Sequence, residues 1–303
     1  MAVRFILSLD CEGKWGVADG LGQREHEWLC DAKLGIAYKS ILDLLDEYSV
    51  PATFAFVGLF AEPEESFSRL KPQIDALASR SPGFLGAALS DMVEGSRQGW
   101  HGAWAVEAVG SARTGHELAL HGVTHVPWTS QDRNFFTEEL GLWRMLSSPV
   151  RDSKTFVFPR NAVAHTELLA PAGLEGFRLG RKMSRVASLA SEFNLRSRPE
   201  RVVPPKAGEP VAIPAGYFVN WRHGLRRLVP AWVTRARFQA LLDRAGETDV
   251  VHAWLHPENI ASAPATLDLL RDIIRMIARQ RDLGRCLPMT QLDFVRSVRP
   301  TAQ

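Results

Sequence analysis

Short apolar runs alternate along this chain with longer amphipathic segments, and this alternation limits the folds available to it. Five runs have the length and composition of buried strands: 3–10, 52–58, 117–121, 155–159 and 250–255. Apolar residues at helical spacing predict helices over roughly 32–48, 134–147, 234–246 and 264–281. Thr290 and Asp293 resemble a capping box that opens a last short helix. The pattern predicts parallel strands covered by helices, with functional residues at the carboxyl ends of the strands.

Two stretches interrupt the alternation. Residues 80–115 are rich in Gly, Ser and Trp and are interpreted as an insertion, and residues 196–233 are rich in Pro and Arg and are interpreted as loop. The length of 303 residues suits either one large α/β barrel or two smaller domains.

Composition excludes several classes of protein. Apolar residues make up 46% of the chain, which excludes a disordered polypeptide. The 36 basic side chains nearly balance the 34 acidic ones, so a dedicated nucleic-acid binder is not expected. The first apolar stretch is interrupted by Arg4 and is too short for a secretion signal. The three cysteines, Cys11, Cys30 and Cys286, are scattered, and we expect a cytoplasmic protein with reduced thiols.

Two motifs at predicted strand ends carry residues typical of a metal site. Asp10 and Glu12 end the first strand at i,i+2 spacing, which directs both carboxylates to one side. His121 and His125 follow the third strand at i,i+4 spacing, and a helical turn there would place both imidazoles on one face. A solvated turn at the acidic pair, with Lys14 as partner, and two surface histidines are the structural alternatives.

Two further strands end in polar residues. The run 155–159 ends in Pro159, Arg160 and Asn161, and an arginine there can orient a carboxylate through two hydrogen bonds. The run 250–255 ends in His256. Each of these residues alone suits a solvated or structural role, but four polar motifs at the same edge of one sheet indicate an active site. GxSxG, GxGxxG and P-loop motifs do not occur in the sequence.

Taken in order, the motifs resemble those of the polysaccharide deacetylase family, the NodB-like carbohydrate esterases of family 4. The resemblance runs from Phe5 to about Asp293. It comprises SLDCEG (8–13), ATFAFVG (52–58), GHELALHGVTH (115–125), FVFPRN (156–161) and AWLHPEN (253–259). FPRN together with HPEN is similar to a branch found with surface-glycan and glycoconjugate biosynthesis. The implied fold is an irregular (β/α)7 barrel of about seven strands, a single catalytic domain over 1–303 with insertions near 80–115 and 196–233.

The resemblance also implies roles for individual residues. Glu12, His121 and His125 would bind one divalent ion, most plausibly zinc, with cobalt, manganese, nickel or ferrous iron as alternatives. Asp10 would be the base. Because this chain has Asp10-Cys11-Glu12 where many members have adjacent aspartates, the reverse assignment, with Glu12 as base and Asp10 as metal ligand, remains an alternative. Arg160 would contact the base, although Pro-Arg-Asn departs from the commoner Arg-x-Pro-Tyr.

The activity implied is metal-dependent removal of an N-acyl group, such as acetyl, from an amino sugar, with His256 as general acid. The sugar is expected to be nucleotide-, lipid- or glycan-linked and to belong to surface polysaccharide biosynthesis. Alternatives are hydrolysis of a non-sugar amide or ureide on the same fold, and glycan binding by a degenerate barrel. Trp254, Asn161 and Trp100, together with Trp104, are candidate substrate contacts, with core packing as the alternative for the tryptophans.

A basic and apolar segment lies between residues 221 and 237. It contains Arg222, Arg226, Arg227, Arg235 and Arg237, interleaved with Trp221, Leu225, Leu228, Val229 and Trp232. A solvated basic face is one interpretation. The other is contact with a phosphorylated substrate or with an anionic membrane surface at the inner face of the membrane.

Overall fold

The computed structural model describes residues 2–94, 97–181, 183–203, 205–206, 208–246 and 248–299. Ten strands form one sheet in this part of the chain. They are β1 (Val3–Cys11), β2 (Thr53–Phe56), β3 (Glu117–Leu120), β4 (Thr155–Val157), β5 (Gly176–Arg178), β6 (Glu200–Arg201), β7 (Val211–Ile213), β8 (Tyr217–Phe218), β9 (Asp249–Leu255) and β10 (Cys286–Met289).

Seven of these strands form the predicted barrel. They lie in the order β9-β1-β2-β3-β4-β5-β7, and every neighbouring pair among them is parallel. The other three are additions: β10 pairs with the first half of β1, β8 pairs with β9, and β6 runs antiparallel to β9. The irregular α/β barrel expected from the motifs is confirmed.

Twelve α-helices surround or extend this sheet in the described residues. They are α1 (Gln23–Trp28), α2 (Asp31–Tyr48), α3 (Gly58–Ala61), α4 (Phe67–Arg80), α5 (Ala87–Glu94), α6 (Ala103–Gly110), α7 (Arg133–Arg144), α8 (Arg185–Glu192), α9 (Ala231–Arg244), α10 (Pro257–Ser262), α11 (Ala265–Asp282) and α12 (Gln291–Val298). In α2 and α11 the buried residues recur at three- and four-residue intervals, which turns one apolar face toward the sheet. None of these helices combines the length and hydropathy required to span a bilayer.

The last helix lies against the amino ends of β2 and β3. Thr290 caps α12 and Asp293 returns the bond to the Thr290 N–H at 3.1 Å, so the predicted capping box is confirmed. The buried Glu117 carboxylate accepts from Thr53 Oγ1 at 2.7 Å and from the Leu292 N–H at 2.9 Å. This packing secures the end of the barrel opposite the motifs.

The two interruptions are more structured than the sequence indicated. The stretch 80–115 contains a π-helical turn over Pro82–Gly86 followed by α5 and α6, while residues 95 and 96 lie outside the described part. The stretch 196–233, interpreted as loop, includes the short strands β6, β7 and β8 and the 3₁₀ turn Gly224–Leu228. Strands of two or three residues are too short to give a periodic signal, which explains the error.

Candidate metal centre and active site

Motifs that are distant in sequence meet at the carboxyl ends of the barrel strands. Asp10 and Glu12 lie at the end of β1, His121 and His125 follow β3, and His256 follows β9. Because the strands are parallel, their carboxyl ends share one edge of the sheet, and the side chains converge there.

Three of these side chains form a compact group of potential metal ligands. Glu12 Oε1 lies 2.9 Å from His121 Nε2 and 3.0 Å from His125 Nε2. All three ligand atoms lie within 4.8 Å of one another. Ligands about 2.1 Å from a tetrahedral zinc ion are separated by roughly 3.4 Å, so the observed spacing is close to that of a zinc site.

The hydrogen bonds of the histidines favour ligation as well. The His121 Nδ1–H donates to the Val157 carbonyl at 2.9 Å, which leaves the Nε2 lone pair directed at Glu12. Burial lowers the pKa of His125, despite the opposing Glu12 carboxylate, and so favours its neutral, ligating form. Burial opposes ionisation of Glu12, but the imidazoles of His125 and His256 outweigh it and hold the pKa of Glu12 well below its usual value.

The segment that carries both histidines is a loop, so the predicted helical turn is wrong. Gly122 has a φ of 66° and His125 a φ of 62°, conformations that an α-helical turn excludes. The loop is held by buried Glu139, which accepts from the N–H groups of Val123 at 3.2 Å and Thr124 at 2.9 Å. Tertiary contacts therefore bring the imidazoles together without helical spacing.

A second group of three ligand atoms, from Asp10, Glu12 and His256, also lies within 4.8 Å. It is the weaker candidate, because both Asp10 oxygens already accept hydrogen bonds from Arg178, at 2.7 Å and 2.6 Å. The same contacts distinguish the two acids. Glu12 faces the histidine pair and Asp10 faces a guanidinium, which supports Glu12 as ligand and Asp10 as base.

Arg178, at the end of β5, is the arginine that contacts Asp10. It is 1% exposed, and the pair is bidentate. Burial raises the pKa of Asp10, but Arg178 together with His121 and His256 reverses this and lowers it below the ordinary value. Asp10 is therefore ionised at neutral pH and fixed in orientation.

Arg178 is itself held from two further sides. Its guanidinium donates to Ser8 Oγ at 3.0 Å and to Asn161 Oδ1 at 3.0 Å. The Ser8 hydroxyl lies 2.8 Å from His252 Nε2, and the opposite ring nitrogen, Nδ1, donates to the Pro214 carbonyl at 2.7 Å. Ser8 therefore links the guanidinium to a buried, neutral imidazole.

Arg160 does not contact Asp10, contrary to the sequence expectation. It pairs with Asp19 at a half-exposed position and lies over the Phe84 ring, 4.8 Å from its centroid. Strand β4 ends at Val157, and the turn Pro159–Asn161 places Arg160 at a φ of 54°. In this turn Asn161, rather than Arg160, reaches the Asp10–Arg178 pair.

His256 lies between the two acids. Its Nε2 is 3.4 Å from Glu12 Oε1 and 3.9 Å from Asp10 Oδ2. Burial alone would lower the pKa of His256, but these carboxylates raise it to about 10. Glu258, not anticipated from the sequence, accepts from the Glu12 N–H at 3.0 Å and the Gly13 N–H at 2.6 Å, which fixes the turn carrying Glu12. Burial and the Glu12 charge raise the pKa of Glu258 to about 7.

The three candidate tryptophans have different positions. Trp254 lies beside the acids, with its ring centroid 5.8 Å from that of His256 and 4.9 Å from the Arg178 guanidinium. Trp100 is fully buried against Trp15, with its indole N–H on Asp91, so the substrate contact expected for it is wrong in this structure. Trp104 packs edge-on against Tyr38 in the core.

The basic segment 221–237 is not a uniformly solvated face. Arg237 is buried, Arg226 pairs with Glu192, and Arg235 pairs with Asp272. Leu225, Leu228 and Trp232 are exposed by 71%, 68% and 56%, whereas Val229 is buried. The segment therefore combines buried Arg237 with an exposed surface of apolar side chains that also includes Arg227 and Arg235.

Solved structures resemble this fold over the whole chain. A protein of Mycobacterium smegmatis described as a "putative polysaccharide deacetylase" matches 100% of this chain and 94% of its own, with a TM-score of 0.60 and 14% identity. A 4-alpha-glucanotransferase from Thermococcus litoralis matches 98% of this chain and 40% of its own, with a TM-score of 0.50 and 17% identity. A family 4 carbohydrate esterase from Streptomyces lividans, in complex with acetate, matches 99% and 97%, with a TM-score of 0.43 and 14% identity.

No protein-family model matches the sequence, and no curated protein sequence matches it. The structural likeness confirms the polysaccharide deacetylase fold that the motifs indicated.

Proposed function

We propose that this chain is a metal-dependent hydrolase that removes an N-acyl group, such as acetyl, from an amino sugar. One observation carries the proposal: Glu12, His121 and His125 converge beside an arginine-paired Asp10 and a histidine, His256, at the carboxyl end of the barrel. The same fold in a structure described as a "putative polysaccharide deacetylase" supports the choice of substrate class. The complete set of polar groups argues against a purely binding role.

Glu12, His121 and His125 would hold one divalent ion. Two imidazoles and one carboxylate are a donor set that suits zinc, and cobalt, manganese, nickel or ferrous iron could replace it. When bound, such an ion supplies Lewis acidity to an amide carbonyl and lowers the pKa of a nearby water.

The remaining groups of the site provide proton transfer. Asp10, ionised and oriented by Arg178, would accept a proton from the attacking water. His256, whose pKa the neighbouring carboxylates raise, would donate a proton to the departing amine. The positions agree with these roles, because His256 Nε2 lies within 4 Å of both acids and its side chain is 24% exposed, so a substrate can reach it. Trp254 would offer a flat surface to a sugar ring.

Turnover with chemically defined amides tests the proposal. The purified enzyme, loaded with zinc, should release acetate from N-acetylated amino sugars in a screen that also contains ureido compounds. Asp10→Asn should lower kcat by about 10²–10⁴ while bound zinc stays near the wild-type level. Asp43→Asn is the control, because Asp43 pairs with Lys39 on the exposed face of α2, away from the site. Full activity of Asp10→Asn would reject Asp10 as the base, and activity confined to ureides would replace the sugar with a non-sugar substrate.

We further propose that this chain contacts a membrane surface. The exposed side chains of Leu225, Leu228 and Trp232 together with exposed Arg227 suit peripheral contact with an anionic membrane. Co-sedimentation with anionic vesicles at low salt should be reduced by a Leu225→Ser/Leu228→Ser/Trp232→Ser variant. Absence of wild-type binding would remove this part of the proposal. A cytoplasmic role in surface polysaccharide biosynthesis would agree with such contact.

A further inference from the structure

A cavity of about 240 Å³ adjoins the proposed active site and contains an excess of positive charge. Asn161 and Trp254 line the cavity and also contact Arg178, so the cavity lies directly beside the Asp10–Arg178 pair. Its lining includes three arginines from separate segments, which are Arg160 after β4, Arg181 after β5 and Arg237 in α9.

Arg237 is the unusual member of this group. It is 2% exposed, and the structure gives it no carboxylate within 4.0 Å among the residues it describes. Its terminal nitrogens donate to the carbonyls of Phe218 at 2.7 Å and Ser191 at 3.4 Å, and its Nε has no acceptor among the residues that the structure describes. Burial lowers the pKa of Arg237 to about 10, so the guanidinium is still charged at neutral pH. The guanidinium also lies 5.8 Å and 5.5 Å from the ring centroids of Tyr217 and Phe238. Carbonyls and rings stabilise a buried cation without neutralising it, and an anionic ligand would do so.

The neighbouring charges do not compensate Arg237. Arg160 pairs with Asp19, Arg181 with Glu200, and Arg226 with Glu192, which itself lines the cavity. Among the residues that the structure describes, four arginines, counting Arg237, are set against three carboxylates, which leaves one positive charge without a carboxylate partner. The hydroxyl-bearing residues Ser188 and Ser191 complete the polar lining.

We propose that this cavity binds the phosphoryl group of the substrate, so that the amino sugar is deacylated while it is linked to a phosphate or diphosphate. A carboxylate is planar and is satisfied by one bidentate arginine, whereas phosphoryl oxygens accept from several directions and carry more charge. Guanidinium groups on three separate segments around one cavity suit a phosphoryl group, whose oxygens accept from several directions. This inference rests on the proposed function for the identity of the sugar, but the anion site itself can be tested without turnover.

Calorimetric titration of the zinc-loaded enzyme with inorganic pyrophosphate tests the site. We expect saturable binding with one site per chain, weakened at least tenfold in Arg237→Gln and weakened in Arg181→Gln. Arg235 lies on the same helix as Arg237 but pairs with Asp272 outside the cavity. The control variant Arg235→Gln should therefore bind pyrophosphate with an affinity within twofold of wild type. Circular dichroism and zinc content check that each variant is folded. If Arg237→Gln does not fold, the more exposed Arg181 supplies the decisive variant.

No binding to wild type, or equal binding to wild type and the folded Arg237→Gln and Arg181→Gln variants, would overturn the inference. If pyrophosphate binds as expected, uridine diphosphate and geranyl diphosphate distinguish the group to which the phosphate is attached. Uridine diphosphate that binds more tightly than pyrophosphate indicates a nucleotide-linked sugar. Geranyl diphosphate that binds more tightly than pyrophosphate indicates a lipid-linked sugar. Deacylation of an unphosphorylated sugar with no pyrophosphate binding would overturn this inference alone. Pyrophosphate binding by an enzyme that deacylates no amino sugar would instead overturn the proposed function.

Discussion

Replacement of Arg178 by glutamine should destabilise the protein far more than the same change at Arg160. Arg178 is 1% exposed and donates to both oxygens of the buried Asp10. Removing one partner of a buried pair leaves the other charge unpaired and costs about 3–5 kcal/mol. Arg160 and Asp19 are exposed by 40% and 30%, and a pair of this kind contributes about 0–1 kcal/mol.

These free energies convert to shifts in melting temperature. At about 2.1 cal/mol/K per residue, unfolding of 303 residues carries an entropy of roughly 0.64 kcal/mol/K. Arg178→Gln should therefore lower Tm by about 5–8 °C, and Arg160→Gln by at most about 2 °C. The assay is thermal unfolding of metal-free protein followed by circular dichroism, because metal binding would otherwise contribute to stability.

The double variant provides an internal check. Arg178→Gln combined with Asp10→Asn removes both charges, so it should lose less stability than the sum of the two single variants. Equal Tm shifts for Arg178→Gln and Arg160→Gln, or strictly additive losses in the double variant, would refute the assignment of Arg178 as the partner of Asp10.

Two further perturbations probe the groups around the site. Burial lowers the pKa of His252 to about 3, whereas an unfolded histidine titrates near 6.5, so its unfolded form binds more protons and stability falls as the pH drops below 6.5. Urea unfolding at pH 7 and pH 5 should show a loss of stability that is about 2 kcal/mol larger in wild type than in His252→Gln, because His116, whose pKa burial lowers to about 4, contributes to the loss in both proteins; an equal loss in both proteins would contradict this. Gly122→Ala should weaken zinc binding at least tenfold, because φ is 66° and a Cβ would lie 2.7 Å from Pro159 Cγ. Gly141→Ala, in a helix with open space around the Cβ, should leave zinc affinity unchanged and serves as the control.

The fold could be predicted where burial leaves a periodic trace in the sequence. The predicted helix over 32–48 is α2, Asp31–Tyr48, because its apolar face packs on the sheet throughout its length. The capping box at Thr290 was also recognisable, since both of its hydrogen bonds are local. By contrast, β5 and β7 were not predicted, because each has only three residues and pairs with strands that are distant in sequence.

The same distinction applies to the site. The motifs place Asp10, Glu12, His121, His125 and His256 at or after the ends of strands, and the structure brings these side chains together. Arg178 and Glu258 were missed, since their roles arise from contacts 168 and 246 residues away. Arg160 was chosen by its position in a motif, but the direction of its side chain depends on the backbone of the turn, at φ 54°. Sequence patterns therefore identify residues at strand ends, while the pairing among them is a tertiary property.

Zinc binding by the intact chain tests the central claim most directly. Protein produced with ample zinc should contain close to one equivalent per chain, measured by elemental analysis after removal of loosely bound metal. A His121→Ala/His125→Ala variant that remains folded should retain almost none, while His116→Ala, whose Nδ1 accepts from the Ala52 N–H outside the site, should retain the wild-type amount. A folded wild-type protein without metal, or a double variant that keeps a full equivalent, would contradict the account of Glu12, His121 and His125 as the metal centre.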